Sequence, residues 1–176
     1  ADIVSMDLKT DYMESYNRYA KRTNQNEIEI YQGDLQYFVC PKNTDLVIAV
    51  DIMEHILDDI AVLNNIYQKM NHDGRLIIST PSNLDKAAAF TEEHVRPGYD
   101  PEELKNKVKN AGFVIEELKF SYGFWGKIYW FLGMKIPLSL TGISKLFILL
   151  LPFYFIPVLP LNLIFMTLDL SVKNNK

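Results

Sequence analysis

The sequence DLVIAVDIMEHI, residues 45–56, joins an apolar run to a cluster of polar side chains. After Asp45 comes a run of five apolar residues, 46–50, which is typical of a strand buried on both faces of a sheet. Three polar side chains, Asp51, Glu54 and His55, follow within five positions. Ligands of parallel sheets bind outside the carboxyl ends of the strands, so we predict a functional site where this strand ends.

Short apolar runs alternate with helical patterns on both sides of this stretch. Strands are predicted at 2–8, 27–34, 75–81 and 113–120, a turn at 71–74, and helices at 10–23, 56–70 and 101–111. Strands that alternate with helices predict an α/β fold, with a mostly parallel sheet covered by helices on both faces.

The helix at 101–111 has the best-marked ends. Asp100 fits an N-cap, Pro101 fits the first helical position, and Glu103 is placed to complete a capping-box-like pair. Gly112 fits the position just past the helix. Its inward stripe is predicted to be Leu104, Val108 and Ala111.

Composition and charge exclude several classes of protein. The chain has 176 residues, 48% of them apolar, and a formal charge of −4, which suits one domain with a real core. Its single cysteine, Cys40, excludes a disulfide framework and favours the cytoplasm. Residues 1–126 carry a net charge of −8 and residues 127–176 a net charge of +4. No basic stripe crosses the body, so a nucleic-acid partner is not expected.

Acidic side chains end three of the first four predicted strands: Asp7, Asp34 and Asp51. The fourth strand ends at Ser79-Thr80-Pro81. Such a rim suits a ligand with hydroxyls, amines or a positive charge, and it does not suit a polyphosphate. The alternative is that each Asp simply begins a turn, which is a common role for this residue.

The order of these features resembles a known family. A strand ending in Asp7, the pair Gly33-Asp34, the stretches DLVIAVDIMEHI and HDGRLIISTPS, and EEHVRPGYDPEELKNKVKNAGFVIEEL follow one another over residues 2–120. Together they resemble class I S-adenosylmethionine-dependent methyltransferases, most closely the ubiquinone-type O-methyltransferases. The resemblance implies a Rossmann-like sheet with helices on both faces.

The resemblance also implies which residues hold S-adenosylmethionine. Asp7 would accept hydrogen bonds from the ribose hydroxyls, and Asp34 would contact the adenine amine, with Leu35 packed on the adenine face. Asp51 would line the region of the sulfonium group. The remaining implied cofactor contacts are Leu8, Gly33 and Val50.

One feature of the family is absent from this sequence. No glycine-rich loop precedes Asp2, although the family places such a loop after its first strand. That missing first strand would lie between the strands at 3–7 and 46–50, in the middle of the sheet. We therefore expect the sequence to be a fragment that does not bind the cofactor normally by itself.

Three interpretations of the polar cluster remain open. Asp51, Glu54 and His55 could hold a divalent ion, Mg²⁺ or Zn²⁺, if a helix beginning near residue 51 puts them on one face. His55 could instead act as a general base, or Asp51 could only cap the helix. His94 is the second candidate base, and its alternative role is that of a solvated loop residue.

The last part of the chain differs from the body, so we divide the chain into 1–122, a partial methyltransferase core, and 123–176, an apolar helical extension. Residues 146–168 carry no charge, but Pro152, Pro157 and Pro160 interrupt them. Because proline destabilises helix interiors, we expect broken helices and not one spanning helix. Residues 124–168 would form a lid, a peripheral contact with the inner face of a membrane, or a homodimer interface.

The predicted function is methyl transfer from S-adenosylmethionine to an oxygen of a small, lipid-like or membrane-held acceptor. The alternative is a non-catalytic, membrane-associated interaction domain that keeps the fold and has lost the cofactor loop. Function does not follow from fold alone, so the sequence leaves the acceptor unidentified.

Overall fold

The computed structural model describes residues 2–84 and 94–174 of the chain. It consists of two compact units, residues 1–116 and 117–176. The first unit contains β1 (Val4–Asp7), α1 (Asp11–Thr23), β2 (Glu29–Gln32), β3 (Thr44–Val50), a 3₁₀ turn (Met53–His55), α2 (Asp59–Lys69), β4 (Met70–Ser79) and α3 (Pro101–Asn110). The second contains α4 (Phe124–Trp130), a π-helical turn (Phe131–Lys135), α5 (Ile136–Ile143), a 3₁₀ segment (Lys145–Leu150) and α6 (Leu151–Asn174).

The strands of the first unit form two parallel pairs, as the predicted α/β class requires. β1 pairs with β2, and β3 pairs with β4. β1 and β3 do not hydrogen-bond to each other, and side chains of both line an apolar pocket of about 180 Å³. Met6 of β1 and Ile48 of β3 are among the lining residues. This gap lies where we predicted the additional central strand.

The turn expected at 71–74 is found as a break in the ladder within β4: Thr44 pairs with Met70, Leu46 pairs with Arg75, and Asp73 between them has a φ of 66°. One sequence prediction about strands is wrong. The strand expected at 113–120 is absent from the described ladders. Instead, the Phe113 amide donates to the Val108 carbonyl at 3.3 Å and so completes the end of α3.

The core of the first unit lies between α2, α3 and the segment that follows β3. Its buried residues are Met53, Ile56, Val62, Leu63, Tyr99 and Ala111. Leu104 and Val108 pack against this cluster, which confirms the predicted inward stripe of α3. The α2 face contributes two of the core residues, so both helices bury one side.

The predicted ends of α3 are confirmed. The Asp100 side chain accepts hydrogen bonds from the amides of Glu102 (2.9 Å) and Glu103 (3.1 Å), and Pro101 begins the helix. Gly112 follows the helix with a φ of 102°, a left-handed conformation that favours glycine. The Glu103 carboxylate forms an ion pair with Lys107 at 2.8 Å and does not complete the predicted capping pair.

The second unit corrects the prediction of broken helices. Pro157 and Pro160 lie inside α6, which runs without interruption over 24 residues. Pro152 lies in its first turn, where a missing amide hydrogen is tolerated. Within the described residues, one helical stretch, 145–172, is long and apolar enough to cross a membrane by length and composition.

Candidate functional site

Two of the predicted cofactor carboxylates lie at neighbouring strand ends. Asp7 is the last residue of β1, and its side chain accepts a hydrogen bond from the Lys9 amide at 3.0 Å. The Gly33 amide donates to the Asp7 carbonyl at 3.1 Å, which fixes Gly33 and Asp34 beside the end of β1. The structure therefore brings Asp7 and Asp34 to one edge of the β1–β2 pair.

The neighbours of these carboxylates are held to different degrees. Asp34 accepts hydrogen bonds from the Gln36 amide at 2.9 Å and from its side chain at 3.2 Å. Leu35 packs against the core, and Asn65 of α2 donates to its carbonyl at 3.1 Å. Leu8 is exposed. The segment after β2 is thus fixed by α2, whereas the segment after β1 faces solvent.

Asp51 does not begin a helix, which corrects the geometry that we expected for it. It follows Val50 with a φ of 50°, and its amide donates to the carbonyl of Ser79 at 2.9 Å. Aspartate tolerates this left-handed conformation better than most residues. The 3₁₀ turn starts only at Met53, with Ile52 at its N-cap position. Asp51 is therefore neither a helix cap nor one turn away from Glu54 on a regular helix.

Glu54, His55 and His94 form a cluster whose potential ligand atoms lie within 4.8 Å of one another. Glu54 is 1% exposed, and its Oε1 lies 4.0 Å from Nε2 of His55. The two imidazole rings meet edge to face, with centroids 4.4 Å apart. The Thr80 hydroxyl donates to Oε2 of Glu54 at 3.0 Å, so the end of β4 fixes this carboxylate. The structure thus brings the two candidate bases, His55 and His94, next to each other. The third member of the cluster is His94, whereas we expected Asp51.

A buried ionic network holds the segment that carries His94. The Asp59 carboxylate, at the start of α2, is 3% exposed and binds the Arg96 guanidinium. Lys107 of α3 and the Tyr99 hydroxyl also donate to it, at 2.8 and 2.6 Å. Arg96 donates further to the carbonyl of Ile56 at 2.7 Å. The network therefore connects α2 and α3 with the segment 94–100, which carries His94.

Backbone contacts place this segment against the cluster. The amide of Val95 donates to the carbonyl of Glu54 at 3.1 Å, and the amide of Tyr99 donates to the carbonyl of Pro81 at 2.8 Å. Gly98 between them has a φ of 131°, and a Cβ there would lie 2.5 Å from the Pro81 oxygen. Glycine is required at this close approach.

The network shifts the pKa values of its members. Burial by itself would raise the pKa of Asp59, but hydrogen bonds from Lys107 and Tyr99 and the charge of Arg96 outweigh it, so this pKa lies below its usual range. Burial and the hydrogen bond to Asp59 raise the pKa of the Tyr99 hydroxyl. The pKa of Lys107 is also raised: burial opposes the shift, and the hydrogen bonds to Asp59 and Glu103 prevail.

Residues 4–118 match the family model for a methyltransferase domain. The chain belongs to this methyltransferase family. The match covers more than half of the sequence and confirms the resemblance inferred from the strand-end motifs. No curated protein matches the chain.

Solved structures share the fold of this methyltransferase domain. The chain is similar to a proposed methyltransferase of Bacillus halodurans C-125, with a TM-score of 0.55, 18% identity, and coverage of 68% of this chain and 56% of that one. It is also similar to an S-adenosylmethionine-dependent methyltransferase of Clostridium acetobutylicum ATCC 824, with a TM-score of 0.52, 11% identity and 66% coverage of both chains.

A third structural neighbour has a different activity from the first two. The [4+2]-cyclase SpnF has a TM-score of 0.54, 14% identity, and coverage of 66% of this chain and 43% of SpnF. The chain spans only about half of the length of two of these structures: 56% of the Bacillus halodurans protein and 43% of SpnF. Because one fold serves both reactions, the site residues must carry the argument about function.

Sequence reasoning missed the ionic network of this methyltransferase domain and the Thr80 contact to Glu54. Asp59 falls within the helix predicted at 56–70, and nothing in the neighbouring sequence shows that it is buried. The available signal was Arg96, which lies two positions after the candidate base His94. An arginine beside a candidate base needs a carboxylate partner when it is partly buried.

Proposed function

We propose that this protein transfers a methyl group from S-adenosylmethionine to an oxygen of a small, lipid-like acceptor. Membership of the methyltransferase family supports the reaction class. The observation that carries the proposal is the cluster of Glu54, His55 and His94, which puts two imidazoles beside a buried carboxylate just past a sheet strand. An acceptor hydroxyl must lose its proton to become a good nucleophile, and imidazole is suited to take it.

The residues present fit one part of the cofactor. S-adenosylmethionine would supply an electrophilic methyl group. Asp7 is exposed at a strand end, and a carboxylate there can accept both hydroxyl protons of a ribose. The Gly33–Asp7 hydrogen bond places the Asp34 carboxylate near the same strand end, where it would meet the adenine amine. Asp51 and Val50, at the end of β3, would face the methyl donor.

The cluster would then handle the acceptor. One imidazole, that of His55 or His94, would take the hydroxyl proton of the acceptor, so that the acceptor oxygen could receive the methyl group that the cofactor would supply. Glu54 remains buried, held by Thr80, and stabilises the imidazolium that results. Because the transfer is an in-line displacement, the positions of these rings matter more than their intrinsic basicity.

A divalent ion is the second candidate for the same step. One carboxylate and two imidazoles with ligand atoms within 4.8 Å form a set typical of Zn²⁺ or Fe²⁺ sites with open positions. Such an ion would bind the acceptor oxygen and lower its pKa. Here His94 replaces Asp51 in the ligand set that we predicted from the sequence.

Cofactor binding is tested by calorimetric titration of S-adenosylhomocysteine into the longest natural polypeptide that contains this sequence. Asp7→Ala should weaken binding about tenfold or more, since hydrogen bonds to a charged group contribute roughly 1.5–3 kcal/mol each. Asp45→Ala is the matched control, because it removes an exposed carboxylate at the opposite end of a strand. Failure of the wild type to bind at millimolar ligand would overturn the proposal and favour the interaction domain.

The role of the cluster is tested by equilibrium dialysis against Zn²⁺, separately for wild type and His94→Gln. The histidine base predicts no stoichiometric ion in either protein and methyl transfer that resists a chelator. One bound Zn²⁺ per wild-type chain, lost in His94→Gln, would show that the cluster holds a metal ion. It would favour the metal candidate over the histidine base. Equal methyl transfer by His55→Gln, His94→Gln and the wild type would contradict both candidates.

A further inference from the structure

The second unit exposes large apolar side chains and buries polar ones, which is the reverse of the distribution in a water-soluble protein. Among its described side chains, the buried positions are Gly126, Pro137, Val158, Asn162 and Asp169, two of which are polar or charged. Large apolar side chains are instead exposed, for example Phe153 and Ile156 of α6, both 71% exposed. Water-soluble domains bury such side chains, whereas proteins in lipid can place polar groups between their helices.

The buried polar groups join two antiparallel arms. The first arm is 124–143, comprising α4, the π-helical turn and α5, and the second arm is α6. The Asp169 carboxylate accepts hydrogen bonds from the amides of Gly123 (3.0 Å) and Gly126 (2.9 Å). Near the other end, the Tyr154 hydroxyl donates to the carbonyl of Leu132 at 2.7 Å. Polar contacts thus hold α4 and the π-helical turn of the first arm against α6.

Glycines let the arms approach closely. A Cβ at Gly126 would lie 2.8 Å from the Asp169 carboxylate, and one at Gly133 would lie 2.7 Å from the Asn162 amide nitrogen. Both pairs are seven residues apart on their own arms, so they recur on one face of each helix. Small residues that face polar ones across a close helix contact are typical of helix pairs in membranes.

We propose that residues 124–174 form a helical hairpin embedded in the hydrocarbon layer of a lipid bilayer. α6 has 24 residues, which is about 36 Å of helix and matches a hydrocarbon layer of about 30 Å. Its internal prolines are tolerated in such helices, because neighbouring groups satisfy the freed backbone. This inference does not depend on methyl transfer.

A bilayer suits this surface better than a second copy of the chain. Leu159, Leu161, Leu163 and Ile164 of α6 are all about half exposed. At 100° per residue these positions point to different sides of the helix, so no single stripe is apolar. A dimer would cover one face and leave the others in water, whereas lipid covers all of them.

The hairpin also fixes where its ends emerge. The Asp169–Gly123 contact brings the start of the first arm beside the end of α6, so both ends of the hairpin lie at one membrane face. Trp125, Lys127 and Trp130 lie near that end, where aromatic and basic residues anchor membrane helices. The connection between the arms, with Lys145, lies at the other end.

The test reconstitutes the full chain from detergent into phosphatidylcholine vesicles, floats them on a density gradient and washes them with alkaline carbonate. The hairpin predicts that the chain floats with the vesicles and resists the wash. Release by carbonate, or a detergent-free soluble dimer in sedimentation analysis, would overturn the proposal. A sample without vesicles must stay at the bottom of the gradient, which separates insertion from aggregation.

Paired variants make the test specific. Ile156→Glu combined with Leu163→Glu puts two charges on the surface assigned to lipid and should reduce the floated fraction severalfold. Tyr12→Glu combined with Tyr37→Glu puts the same charges on exposed apolar residues of the first unit and should leave flotation unchanged. Circular dichroism in micelles checks that both variants keep their helices. Equal flotation of the two variants would contradict the hairpin.

Discussion

Asp59 binds Arg96 and Tyr99, which follow the candidate base His94 in the chain. Its buried carboxylate accepts hydrogen bonds from the side chains of Arg96, Lys107 and Tyr99, which come from two other segments of the chain. Removing one partner of a buried ionic network leaves the others uncompensated, so Asp59→Asn should destabilise the fold by about 3 kcal/mol. Urea unfolding followed by circular dichroism measures this free energy.

The neighbouring residue supplies the control for that change. Asp58 is the exposed N-cap of α2 and accepts a hydrogen bond from the Ala61 amide at 3.0 Å. Asparagine caps helices about as well as aspartate, so Asp58→Asn should change the unfolding free energy by less than about 0.5 kcal/mol. Equal losses for the two variants would show that the buried network contributes nothing specific.

The same carboxylate sets the acid dependence of stability. Because the pKa of Asp59 is lower in the folded chain than in the unfolded chain, its contribution is complete above the ordinary aspartate pKa of about 3.9 and is lost as pH falls through the lower, folded value. The difference in unfolding free energy between wild type and Asp59→Asn should therefore be constant from about pH 7 to pH 5 and shrink below about pH 4. A difference in unfolding free energy that grows toward low pH would contradict the lowered pKa of Asp59.

Among the elements, the segment 94–100 before α3 depends on one glycine for its close approach to Pro81. Gly98→Ala would put a methyl group 2.5 Å from the Pro81 oxygen and would strain a φ of 131°. We expect a loss of about 2 kcal/mol in unfolding free energy and faster hydrogen exchange at the amide of Tyr99, which bonds to that oxygen.

The matched control is the same substitution at a glycine with open space around it. A Cβ at Gly142, in α5, would meet nothing within 4 Å, so Gly142→Ala should leave exchange at the Tyr99 amide unchanged and cause no loss of stability. Unchanged exchange in Gly98→Ala would remove the role assigned to Gly98.

Elements whose causes are local could be predicted from the sequence. The run from Leu46 to Val50 is a strand and Asp100 caps α3, because both depend on residues a few positions away. The expected burial of this strand on both faces is wrong, since Leu46, Ile48 and Val50 are each about half exposed. The conformation of Asp51 could not be predicted, since it depends on a hydrogen bond to Ser79 on another strand. The burial of Asp59 likewise depends on Arg96, which lies 37 positions along the chain.

The helix α6 shows a different limit. Proline propensities measured in water predicted breaks at Pro157 and Pro160, and the structure contains a continuous helix there. Propensity is a weak prior that tertiary surroundings override, and hydrocarbon is the surrounding in which an unbroken backbone ladder matters most. The apolar extension was predictable from the sequence, whereas the burial of Asn162 and Asp169 inside it was not.

At the scale of the whole molecule, the two units bury opposite kinds of side chain. The first unit buries Met53, Leu63 and Tyr99, and the second buries Asn162 and Asp169. The oxygen of the Asn162 side chain has no hydrogen-bond partner among the described residues, and such a buried atom is costly in water and in lipid alike. One chain therefore carries a methyltransferase fold suited to water and a helical pair suited to lipid.

The uneven charge of the molecule separates insertion from electrostatic adsorption. The five lysines of residues 127–176 oppose an acidic body of net charge −8. If the five lysines alone held the chain on a membrane, at about 1 kcal/mol each, adding anionic lipid would strengthen binding roughly several thousandfold. A hairpin held by buried apolar area needs no anionic lipid, so the floated fraction should agree within about twofold between pure phosphatidylcholine and mixtures with phosphatidylglycerol. It should also be unchanged by high salt, which screens surface charges. Flotation that requires phosphatidylglycerol and disappears in salt would assign the lysines, and not the apolar arms, as the membrane contact.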